Sequence, residues 1–123
     1  MIHVSMAAMG MYNRLRLPAP IECPACGVRE RWWAQFRFGP LALTNYEVGE
    51  PIDWAAGGRK EGRRGLERVL IQGTLEECPN CRADLGPEHE IFTIEVRGDV
   101  FVSAVEDTSG DGYWLEFWRA VDD

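Results

Sequence analysis

All four cysteines of this chain sit in two matching pieces, Cys23-Pro24-Ala25-Cys26-Gly27 and Cys78-Pro79-Asn80-Cys81-Arg82. A C-x-x-C turn presents two thiolates to one point. Two such turns complete a tetrahedral set of four sulfurs, which Zn²⁺ accepts at about 2.3 Å per Zn–S bond. Proline after the first cysteine holds that cysteine in extended backbone, so a tight turn follows in which later N–H groups can point at sulfur. Gly27 permits a positive φ at the exit of the first turn, where the second piece carries Arg82. The expected ligands are Cys23, Cys26, Cys78 and Cys81, each as a thiolate. The expected ion is Zn²⁺, with iron as the alternative that an S₄ site accepts. Four thiolates leave no open position for water, so the zinc is expected to be structural and the protein not to be an enzyme.

Fifty-one residues, 27–77, separate the two pairs, against about 15–20 in the common four-cysteine zinc spacing. The intervening segment must therefore be a folded β excursion. Closing so long a loop is tolerable because closure entropy grows only logarithmically with length, whereas structural zinc contributes on the order of 10 kcal/mol. The chain has 123 residues, 46% of them hydrophobic, and five tryptophans, which suits one domain with its own core. Its apolar stretches, such as 6–11 and 69–71, fall far short of the ~20 residues of a membrane-spanning helix, and no membrane partner is expected.

Strand signals dominate. Residues 28–38 alternate, with Val28, Glu30, Trp32, Ala34, Phe36 and Phe38 on one face and Arg29, Arg31, Trp33, Gln35 and Arg37 on the other, the pattern of one half-buried strand. Gly39 and Pro40 end it, 41–48 is expected to run back as a second strand, and 52–54 to form a short third. Residues 66–75 read as a strand leading into the second cysteine pair. Residues 91–96 and 100–105 read as a hairpin with Gly98 at a turn position needing φ > 0. After the Asp107–Gly112 turn, 113–121 resumes in aromatic, β-prone residues, so the last three runs are expected to form a meander. With no amphipathic segment of helical length, the expected fold is all-β: antiparallel sheets with a meander and two knuckles joined by a long β insert, in a single domain over 12–123.

The two C-P-x-C pieces resemble zinc-ribbon and rubredoxin-like knuckles, over about ten residues. Met11-Tyr12-Asn13-Arg14 running into Leu17-Pro18 and CPACG resembles the opening of small uncharacterised bacterial and phage-encoded zinc-ribbon proteins. That resemblance implies a cytoplasmic metal-binding β protein and no particular activity. The first eleven residues, MIHVSMAAMGM, lack the charged n-region and apolar length of a secretory signal. They read as a disordered extension, with Met9 and Met11 as alternative starts. A cytoplasmic setting disfavours disulfides. A redox-active dithiol, the remaining competitor, needs a helix N-terminus at one pair, and none is expected here.

Net charge is −7, divided as +3 over residues 1–64 and −10 over 65–123. Wholesale phosphate neutralisation is therefore not expected as the main source of affinity. Arg59, Lys60, Arg63 and Arg64 lie among four glycines, which reads as a mobile solvated loop. With Arg29, Arg31, Trp33 and Arg37 that loop is the candidate interaction surface. A protein partner is the leading expectation, a second copy of the chain included, and nucleic acid bound by arginine and stacked tryptophan is the runner-up. Trp114, Phe117 and Trp118 read as core or dimer interface. Glu76, Glu77, Asp84, Glu88 and Glu90 read as a solvated acidic face, and His89 as a surface histidine.

Overall fold

The computed structural model describes residues 12–121; the expected N-terminal extension, 1–11, lies outside them. In chain order the strands are β1 (Asn13–Arg16), β2 (Ile21–Glu22), β3 (Arg29–Glu30), β4 (Trp33–Phe36), β5 (Gly39–Pro40), β6 (Asn45–Glu47), β7 (Lys60–Glu61), β8 (Arg68–Leu75), β9 (Ile91–Arg97), β10 (Val100–Glu106) and β11 (Trp118–Ala120). The described residues contain no α-helix, only a 3₁₀ turn at Pro87–His89, so the all-β expectation holds. None of their helices is long and apolar enough to cross a membrane.

The main sheet runs β10-β9-β8-β4-β1-β6, with β11 also on β8. It curls until its ends meet. Just beyond β6 the Gly49 N–H donates to Phe101 O (2.8 Å), the Phe101 N–H to Glu50 O (3.0 Å) and the Ile52 N–H to Asp99 O (2.8 Å). These bonds close the sheet on itself around a packed interior. Alternation supplies that interior: Leu15 from β1, Ala34 and Phe36 from β4, Ile71 from β8, Ile94 and Val96 from β9 and Phe101 from β10 are all buried. Phe101 sits at its centre, with ring centroids 5.4 Å from Phe36 and 4.8 Å from Tyr46.

Several expectations change here. The alternating run 28–38 keeps its faces but is two strands, β3 and β4, interrupted at Arg31 and Trp32. The break lets β3 pair with β2 around the first cysteine turn while β4 joins the main sheet. β1 is a central strand between β4 and β6. It pairs antiparallel with β4 but parallel with β6, so the sheet is mixed. Its one buried polar side chain, Asn13, is fully satisfied. Its amide donates to Phe38 O (3.1 Å) and Pro40 O (2.8 Å) and accepts from the N–H groups of Ala42 (3.2 Å) and Thr44 (3.1 Å).

Residues 52–54 form no strand; only Pro51 bridges Val100. The meander is β8-β9-β10, with Gly98 (φ 55°) and Asp99 (φ 64°) supplying the two positive φ angles of its hairpin turn. The third aromatic run does not continue it. β11 returns to the opposite edge of β8, Trp118 beside Ile71, because buried Gln72 holds the crossing segment: its Nε2 donates to Gly112 O (3.0 Å) and its Oε1 accepts from the Trp114 N–H (2.6 Å). The Gly/Arg loop is pinned too. β7 pairs with β5, and the Gly65 N–H meets the Asp99 carboxylate at 3.1 and 3.2 Å.

Candidate metal centre

Both cysteine turns lie at one end of the curled sheet. The first hangs between β2 and β3 on the connection from β1 to β4, and the second lies on the connection from β8 to β9. Backbone bonding is the same in both. The N–H of the first cysteine donates five residues on (Cys23 to Val28 O, 3.0 Å; Cys78 to Ala83 O, 2.8 Å). Its carbonyl accepts from four residues on (Gly27 N–H, 2.8 Å; Arg82 N–H, 2.9 Å). The residue in that fourth place has a positive φ in each: 76° at Gly27 and 67° at Arg82. A non-glycine residue there costs on the order of 1 kcal/mol, and the paired hydrogen bonds and sulfur placement offset it. Arg82 therefore does not distort the second turn.

The four sulfurs converge within 4.8 Å of one another. Cys23 Sγ lies 3.6 Å from Cys81 Sγ, and Cys26 Sγ 3.9 Å from Cys78 Sγ. In a tetrahedron with bonds of about 2.3 Å, sulfurs stand about 3.8 Å apart, so these contacts fit the edges of a metal–thiolate tetrahedron. The arrangement could hold a metal ion, and Cys23, Cys26, Cys78 and Cys81 are the residues that would hold it. Cys23 and Cys78 are 1% exposed and belong to the core, while Cys81 is exposed and Cys26 half-buried. One side of the cluster is thus rooted in the fold and the other faces solvent.

Polar hydrogens turn toward the sulfurs. The Asn80 N–H approaches Cys78 Sγ at 3.4 Å, and the Asn80 side-chain Nδ2 approaches Cys26 Sγ, on the other turn, at 3.4 Å. Asn80, with the Val28 N–H second, draws the Cys26 thiol down to about 6. At Cys81 the Ala83 N–H pulls the same way but is outweighed: desolvation and the sulfurs of Cys23, Cys26 and Cys78 push that thiol up to about 12. Four sulfurs this close do not all ionise unaided, and a cation at their centre removes the conflict. No known protein family, curated protein or solved structure matches the chain. The cluster is compatible with the zinc-knuckle resemblance, but its case rests on the residues themselves.

An ion pair lies at the same end. Arg14 on β1 grips Glu76, two residues before Cys78, through Nε and Nη2 at 2.7 Å each, and stacks its guanidinium 4.3 Å from the Trp33 ring centroid. Glu76 therefore leaves the solvated acidic face on which the sequence placed it. The pair borders an open cleft of about 730 Å³ that reaches Cys78 and Pro79. His89 meets Glu106 through Nδ1 at 2.9 Å.

The residues of the candidate interaction surface differ in exposure and pairing. Trp33 is half-buried beneath Arg14 and Arg16 of the neighbouring strand. Arg31 is paired with Glu47 (3.1 Å), and Arg59 with Glu61 (3.1 Å), which also lies 3.9 Å from Arg37. Arg29, Lys60, Arg63 and Arg64 are exposed. Sequence reasoning missed Asn80 and Arg14. Asn80 fills an x position of its motif, and only the folded approach of the two turns brings its amide to Cys26.

Proposed function

We propose that this chain is a zinc-dependent β scaffold, not an enzyme, whose structural Zn²⁺ is held by Cys23, Cys26, Cys78 and Cys81 and whose work is to bind another protein. The observation that carries the reading is the sulfur arrangement, with contacts of 3.6 and 3.9 Å against about 3.8 Å for a tetrahedral zinc thiolate. Where the cluster lies explains what such an ion would do. β4 and β8 share only two residue pairs, Ala34 with Leu75 and Gln35 with Thr74. That seam joins the β1/β4 unit to the β8/β9/β10 unit. The cysteine turns are the two connections at the same end of the seam, so an ion between them ties the units together where the ladder is shortest.

Zinc is the favoured ion because thiolates alone form the set and it needs no redox chemistry to serve as a clamp. A binding role fits a rigid surface that carries exposed apolar side chains, Val102 and Val105 on β10 and Leu115 on the crossing segment. Elemental analysis of protein purified without added metal tests the reading. About one zinc per chain supports it. Fully reactive thiols and no metal in a folded protein would refute it, and iron with visible absorption would move the protein to the redox class.

A further inference from the structure

We infer that Asn80 is a positioning residue for the metal centre, its side-chain amide crossing from the second cysteine turn to tune and fix Cys26 of the first. The inference rests on the metal reading above and concerns this chain's own residues. The two turns share their backbone bonds but differ at this position. Asn80 stands two residues after Cys78, where the first turn has Ala25 two after Cys23, and alanine has no group to return the bond. Asn80 Nδ2 lies 3.4 Å from Cys26 Sγ while its own backbone N–H lies 3.4 Å from Cys78 Sγ. One residue thus addresses sulfurs on both turns, and among the described residues no other side-chain amide is bonded to a cysteine sulfur.

The placement matters because of exposure. Cys23 and Cys78 are fixed by the core around them, whereas Cys26 sits on the solvent side. There the Asn80 amide does what packing does for the buried pair. It holds the sulfur in position and withdraws electron density from it, as hydrogen bonds to metal-bound sulfur do. Ligand-orienting partners of this kind typically change metal affinity 10–100-fold when removed.

The test uses the full chain loaded in turn with Zn²⁺ and with iron. Asn80→Asp keeps the shape and removes the N–H donor, Asn80→Ala removes the side chain, and both retain the backbone N–H to Cys78. Zinc removal by a chelator is expected to be at least about 10-fold faster in both variants. The potential of the iron form is expected to move negative, since a sulfur relieved of a hydrogen bond favours the oxidised ion. A merely structural side chain would leave that potential unmoved. If the wild type holds one metal per chain and both variants match it in potential and chelator rate, the role of Asn80 is wrong. If the wild type takes up neither metal, the metal reading itself fails and this inference falls with it.

Discussion

Arg14 and Glu76 meet side-on across the shortest ladder of the sheet, guanidinium to carboxylate through two contacts of 2.7 Å. The side chains are 27% and 19% exposed. A fork–fork pair of this geometry is stronger than a surface ion pair, though solvent still screens it. Glu76 also donates its backbone N–H to Trp33 O (2.9 Å), extending the β4/β8 pairing by one residue. Glu76→Gln is expected to cost about 1–2 kcal/mol in urea unfolding of the metal-loaded protein. Arg14→Met is expected to cost at least as much because it also uncovers Trp33. A double-mutant cycle with a coupling near zero would show that the pair is incidental.

The four cysteines are not expected to be equivalent. Cys23 and Cys78 are core residues as well as proposed ligands, so Cys23→Ser or Cys78→Ser combines loss of a thiolate with burial of a hydroxyl. Both variants should lose metal to dialysis and lose a cooperative unfolding transition. Cys81→Ser, on the solvent side, should retain a weaker site in which water or the hydroxyl takes the fourth place. Metal content after dialysis, with near-ultraviolet circular dichroism, checks the ranking.

Asn13 makes four hydrogen bonds at 0% exposure. Asn13→Ala leaves two carbonyls and two N–H groups without these partners and should cost about 3 kcal/mol or more. Asn13→Asp should be worse at neutral pH, because a carboxylate would face the carbonyls of Phe38 and Pro40. Equilibrium unfolding of the two variants gives the order directly, and Asn13→Asp no less stable than Asn13→Ala would contradict it.

Glu95 lies between Arg68 Nε (3.0 Å) and Arg97 Nε (2.6 Å), and the Arg68 bond, with Arg97 behind it, holds its carboxyl below the ordinary value of 4.5. A depressed carboxylate stabilises the fold above its unfolded value, and that contribution is lost as pH falls through the folded value. Glu95→Gln should therefore unfold more readily than wild type at pH 6, with the difference shrinking as pH falls below about 4.5. Both proteins share the acid loss of any thiolate-bound metal, so their difference isolates Glu95. A difference independent of pH would contradict the assignment.

Tyr113 supplies the alkaline counterpart. Burial, and then its hydrogen bond to Glu90 (2.5 Å), push its hydroxyl up to about 12. A raised acid contributes stability below its unfolded value near 10.0, lost as pH climbs toward the folded value. Ultraviolet titration should show Tyr113 ionising above its ordinary range, a late step that is absent in Tyr113→Phe.

Much of this architecture is legible in the sequence where one physical rule dominates. The C-P-x-C repeats prescribe the cysteine turns, and the structure brings their sulfurs together across 51 intervening residues. β8, β9 and β10 follow from alternation and from Gly98. β1 does not, because NRLR shows one apolar residue, and its burial depends on Asn13 finding partners on the segment 38–44 that only the fold brings near. The course of β11 is equally hidden, since aromatic β-propensity indicates a strand but not its neighbour, and Gln72 decides that by holding Gly112 and Trp114. The arginines' partners are partly hidden for a related reason: Glu47 reaches Arg31, and Glu61 reaches Arg37, from distant strands, whereas Glu61 lies only two residues from Arg59.

X-ray absorption at the metal edge of the purified protein shows whether one metal ion sits among the four sulfurs. The predicted result is a first shell of four sulfurs at about 2.3 Å with no oxygen or nitrogen ligand. A shell containing oxygen or nitrogen, or fewer than four sulfurs, would contradict a clamp built from Cys23, Cys26, Cys78 and Cys81.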